Sequence, residues 1–118
     1  MRRPRRATLT IACVGWVATL WLAPMVSAQV TPAVERTTAR ARAMVDGGDG
    51  ATARTLLDSL VEAAPMGTID RAEALYWRAV LAERIGDAER DWKRLVIDVP
   101  LSPRASDALV RLGELDML

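Results

Sequence analysis

From residue 33 onward, apolar side chains recur at offsets of three and four. Ala53, Leu56, Leu57, Leu60, Val61 and Ala64 lay one continuous stripe along a helix, and Pro65 ends it. Before that helix a similar pattern runs from Ala33 to Asp46, where Gly47-Gly48-Asp49-Gly50 interrupts it. Glycine supplies the backbone freedom of a tight turn there, and Asp49 is placed to cap the next helix. After Met66-Gly67-Thr68, either Thr68 or Asp70 caps a third helix predicted to run to Ile85, with Gly86-Asp87 as the following turn. A fourth helix sets Ala88, Trp92, Leu95, Val96 and Val99 on one side. Pro100 stops it, and Pro103 starts a fifth whose predicted buried face is Ala105, Ala108, Leu109, Leu112 and Leu115. Every connection is a few residues long, so successive helices must pack antiparallel as hairpins. The predicted fold class is all-α.

The first 28 residues follow a different pattern. Arg2, Arg3, Arg5 and Arg6 form a positive start and Ala7 to Ala23 an apolar run. Pro24 then precedes Val26-Ser27-Ala28, the small-x-small signature of a signal-peptidase site. The expectation is a signal peptide over 1–28, cleaved before Gln29, and a periplasmic or secreted mature protein. The alternative is an uncleaved anchor, since the uncharged stretch 7–28 is long enough to span a bilayer and carries Trp16 and Trp21. Cys13, the single cysteine, lies inside this segment, so cleavage leaves a mature chain with no thiol and excludes disulfides and cysteine nucleophiles.

Charge changes once that segment is set aside. The chain carries 16 basic and 15 acidic residues; without the four N-terminal arginines the balance is 12 against 15, about −3. Basic groups are interleaved with carboxylates and form no stripe that could track a phosphate backbone, which argues against nucleic acid as a partner. The absence of His removes the usual neutral-pH general base and the commonest metal ligand. Ser59, Ser102 and Ser106 have no activating neighbour, and Gly47-Gly48-Asp49-Gly50 lacks the lysine of a phosphate loop. Asp87, Glu89 and Asp91 read as carboxylates favoured at a helix start rather than as an acid–base set. No catalytic residue, cofactor or metal is expected.

Setting Gly48 against Gly86 exposes an internal period in the thirties built from helix pairs. Ala41, Gly48, Ala53, Leu57, Leu60 and Pro65 stand at the small, turn-glycine, small, bulky, bulky and closing-proline positions of a tetratricopeptide repeat, the family this chain resembles. The second unit, with Ala74-Leu75-Tyr76-Trp77 and Val99-Pro100-Leu101-Ser102-Pro103, is similar to the repeats of bacterial Tol-associated and outer-membrane-assembly proteins. Gly86 to Pro100 is three residues shorter than Gly48 to Pro65, which places the loss just after Gly86. The resemblance implies a short solenoid of about two and a half repeats: a lead over 29–32, then a repeat domain over 33–118 divided as 33–65, 69–100 and 103–118. The last unit is either a capping helix or the start of a repeat continued in a longer protein. In related proteins a sporulation-related peptidoglycan-binding module can follow.

The family binds peptides along the inner surface made by the first helix of each pair. Mapped here, that surface gives Glu35, Thr38, Arg42, Glu73, Tyr76, Val80, Glu83 and Arg84, a groove of mixed charge with one aromatic. The implied function is a non-catalytic interaction module or scaffold of the cell envelope, with a protein or peptide as partner. Membrane contact would come only through the N-terminal segment, and self-association through the C-terminal helix. A spacer carrying a peptidoglycan-binding module is the second reading, and an enzyme the weakest.

Overall fold

The computed structural model describes residues 29–118, so the leader or anchor expected over 1–28, with Cys13, lies outside the described residues. The described part is all-α: α1 (Pro32–Asp46), α2 (Gly50–Ala63), α3 (Ile69–Val80), α4 (Ile85–Asp98) and α5 (Pro103–Asp116). None of these helices is long and apolar enough to cross a membrane.

Local chemistry sets most of the ends. At the close of α1 the Gly48 N–H donates to the Val45 carbonyl at 2.9 Å and the Asp49 N–H to Met44 at 2.8 Å. This paired closure needs the left-handed backbone that Gly48 adopts at φ 87°. Asp49 then caps α2 by accepting from the Thr52 N–H. Thr68, not Asp70, caps α3, and Ser102 caps α5. Asp70 instead accepts from the Thr31 N–H at 2.8 Å and ties the entry of α1 to α3.

The second hairpin departs from expectation. α3 stops at Val80, five residues before Ile85, and the turn is Leu81–Arg84. Leu81 donates to Trp77 and Ala82 to Ala79, a tightening last turn that requires no positive φ and therefore no glycine. Gly86 is not the turn residue; it lies in the first turn of α4. The reason is packing register. Ala53, Leu57, Leu60 and Pro65 recur as Ala88, Trp92, Leu95 and Pro100, each 35 residues on, and α4 must begin at Ile85 to place that stripe as α2 places its own.

α1 packs on α2, α3 on α4, and each hairpin meets the next through α2–α3 and α4–α5. α1 also packs against α3, and α3 against α5, whereas α2 and α4 meet only through side chains, Arg54 pairing with Asp87 at 3.5 Å. The odd-numbered helices thus form the closer-packed layer. One core gathers Val61, Leu75, Ala79, Trp92, Leu95 and Ala108; a second joins Ala41, Ala53 and Leu57. Leu109 is not among them: it is 56% exposed, because the inward face of α5 turns toward Ala105 and Ala108 instead.

Two arginines brace the interior. Arg71 donates to the carbonyls of Val61 (2.8 Å) and Ala64 (3.2 Å) and to Asp98 (2.9 Å), closing the end of α2 and joining it to α4. Arg78 pairs with Asp91 through two bonds of 2.6 and 2.8 Å and with Asp58 at 3.0 Å. Asp91 is therefore a buried partner of a neighbouring helix rather than a helix-start carboxylate. Asp87 does stand in the first turn of α4, where it pairs with Arg90 and with Arg54 of α2; Glu89 pairs with Lys93, and α4 has no side-chain cap.

Candidate interaction face

The odd-numbered layer carries one dense cluster of aromatic and charged side chains. Tyr76 and Trp77 are consecutive on α3 and meet edge to face, ring centroids 5.7 Å apart. Both are half-buried, and their edge-to-face geometry is one that aromatic pairs favour. Arg42 of α1 stacks on Trp77 at 4.5 Å, and Arg104 of α5 lies over Tyr76 at 4.1 Å. Glu73, one turn before the rings, accepts from the Trp77 indole at 2.7 Å and from Arg104 at 2.8 and 2.9 Å. Three helices are joined across one face.

The electrostatics follow from those contacts. Burial alone would push the Glu73 carboxyl up, but the donations from Arg104 and Trp77 outweigh it and hold its pKa below the ordinary glutamate value. The same bonds raise Arg104. Glu73 is therefore a fixed anion near neutral pH and a poor proton donor. Arg42 makes no ion pair among the described residues, so its guanidinium is stacked yet available.

Beside the cluster lies a depression of about 470 Å³ whose walls include Val30, Glu35, Ile69, Glu73, Pro103 and Arg104. Of the eight residues expected in a groove, Glu35 and Glu73 line this depression, and Arg42, Glu73 and Tyr76 belong to the cluster. Val80 lines a separate depression of about 400 Å³ with Trp92 and Leu115. Glu83 and Arg84 stand at the tip of the second hairpin beside Gly50 and Arg54. Thr38 does not face the groove: it is 5% exposed and its hydroxyl donates to the Glu35 carbonyl in its own helix. The expected groove is thus shortened at one end and extended by Trp77 and Arg104. Trp77 stood in the sequence as an unassigned aromatic; Arg104 carried no signal, since Glu73 lies 31 residues away.

Among the described residues no group of three or more His, Cys, Asp or Glu side chains is placed to hold a metal ion. No protein-family model, curated protein or solved structure matches the chain.

Proposed function

We propose that this chain is an exported, non-catalytic interaction module of the cell envelope, a tetratricopeptide-like array that takes a peptide or protein segment on the face of α1, α3 and α5. The observation that carries the reading is the aromatic pair flanked by Arg42 and Arg104. Rings and guanidinium groups dominate interface energies because they combine large contact area with directional hydrogen bonding. These groups are partly open to solvent, although burying them would serve packing better. The 35-residue recurrence of the α2 stripe in α4 supports the repeat assignment, and Arg2–Arg6 with Val26-Ser27-Ala28 supports export. The free guanidinium of Arg42 suits an acidic side chain of the partner, and the neighbouring depression suits an apolar one.

Capture from envelope extract tests the proposal. Tyr76→Ala and Arg42→Ala should each lower partner recovery by roughly tenfold or more, while circular dichroism melts stay close to wild type. Arg84→Ala, at the hairpin tip, should leave recovery unchanged. Undiminished recovery with both Tyr76→Ala and Arg42→Ala would overturn it.

A further inference from the structure

Antiparallel packing sorts the connections into two ends. The starts of α1, α3 and α5 and the closes of α2 and α4 share one end, where Gln29, Val30, Ile69 and Pro103 border a common depression. Three stretches of chain meet there, 29–34, 63–69 and 99–103, and none contains a charged residue. At the opposite end each stretch is charged, through Asp46, Asp49, Glu83, Arg84 and Asp116, so that the exposed Ile85, Met117 and Leu118 stand among ionised groups.

The two loops of the charge-free end repeat one pattern. Pro65-Met66 and Pro100-Leu101 lie 35 residues apart, at the same place in successive units, and Met66 is 63% and Leu101 97% exposed. Ile97, at the close of α4, adds a third large apolar side chain, 77% exposed. The prolines already stop the helices, so nothing within the chain requires the next residue to be apolar. Asp70, in the first turn of α3, is the carboxylate bordering this surface, and the Thr31 N–H donates to it at 2.8 Å. Apolar groups left in water twice at one repeat position point to a surface that covers them.

The sequence supplies the occupant. From Ala7 to Val34 the chain carries no charged residue, and Glu35 is the first to break the run. As signal segment or as anchor, an apolar stretch such as 7–28 partitions into a bilayer. It joins the described residues at Gln29, on the charge-free end. That end is delivered to a lipid surface, and the charged end is turned away from it. Loop backbone cannot enter the hydrocarbon core with its polar groups unsatisfied, so the contact lies at the headgroup boundary, with the Met66 and Leu101 side chains reaching below it.

We propose that the end formed by 29–34, 63–69 and 99–103 rests on a phospholipid bilayer, held by apolar contact rather than by charge. Membrane contact then extends beyond residues 1–28. Tyr76, seven residues along α3 from Ile69, stands ~10 Å from the start of that helix, which keeps the aromatic face clear of the lipid. The docking stands or falls separately from the binding role proposed above.

Lipid quenching of the full chain, reconstituted in vesicles of phosphatidylethanolamine and phosphatidylglycerol, tests it. On a Cys13→Ser background, a fluorophore is attached at Ala63→Cys or at Ala51→Cys, exposed positions at the two ends of α2 and ~18 Å apart along it. Nitroxide-bearing lipids should quench the Ala63 label roughly threefold more than the Ala51 label, at about 0.1 M and about 1 M salt alike, because apolar contact is not screened. Met66→Asp combined with Leu101→Asp should bring quenching at Ala63 down to the Ala51 level with helicity unchanged. Equal quenching at both positions would overturn the proposal, since a tether through 1–28 alone gives that result. Quenching that survives the double variant, or that high salt abolishes, would overturn it as well. Energy transfer between Ala63 labels on two chains, without lipid quenching, would overturn it in favour of a second copy.

Discussion

The guanidinium of Arg71, on a side chain only 6% exposed, closes the carboxyl end of α2 and reaches α4 through Asp98, itself 9% exposed. Removing it strands two carbonyls at once and leaves the buried Asp98 carboxylate only the longer contact to Arg94. Arg71→Met should therefore destabilise by ~3–5 kcal/mol, the range for breaking one partner out of a buried pair. Arg94 reaches the same Asp98 from a half-exposed position at 3.4 Å, and Arg94→Met should change stability by no more than ~1 kcal/mol. Urea unfolding of the two variants separates these outcomes. Glu73 provides a pH test. Its folded pKa is depressed, so its stabilising effect is present above the unfolded value and is lost as pH falls through the folded one. Glu73→Gln should flatten the fall of melting temperature on acidification below the ordinary carboxylate range. A variant whose acid slope matches wild type would show that the Arg104 and Trp77 bonds do not shift this group.

At the scale of elements, the stripes were legible and one turn was not. Ala53 through Ala64 announced α2, and Gly47-Gly48-Asp49 announced both the close of α1 and the cap of α2, because each signal is local. Gly86 misled for the opposite reason: a glycine near a helix boundary resembles a turn whichever side it falls on. What placed the boundary was the fit of Ala88, Trp92 and Leu95 against α3, a tertiary constraint. Substitution distinguishes the two glycines. Gly48→Ala forces a Cβ into a left-handed backbone and should cost ~1–2 kcal/mol. Gly86→Ala meets nothing within 4 Å in the first turn of α4 and should stabilise by ~0.4–1 kcal/mol. Thermal melts with the opposite ordering would return the turn to Gly86. The candidate site was half legible for the same physical reason. Tyr76 and Arg42 follow from helix faces, but Arg104 joins them only because α5 folds back beside α3.

Across the described residues, the closer packing of α1, α3 and α5 creates the face on which binding is proposed, and the two tryptophans among them, Trp77 and Trp92, report on it from opposite positions. The Trp77 indole donates to Glu73 within the cluster. The Trp92 indole N–H is buried in the core between α3, α4 and α5, with no acceptor among the described residues. The most direct measurement is the pair of side-chain indole N–H resonances in a ¹H–¹⁵N spectrum, assigned with Trp77→Phe and Trp92→Phe, while a partner captured from envelope extract is titrated in. A ligand on the proposed face must move the Trp77 signal and leave Trp92 in place. Movement of Trp92 with Trp77 unchanged, or saturation of binding with neither moving, would contradict the assignment of function to this face.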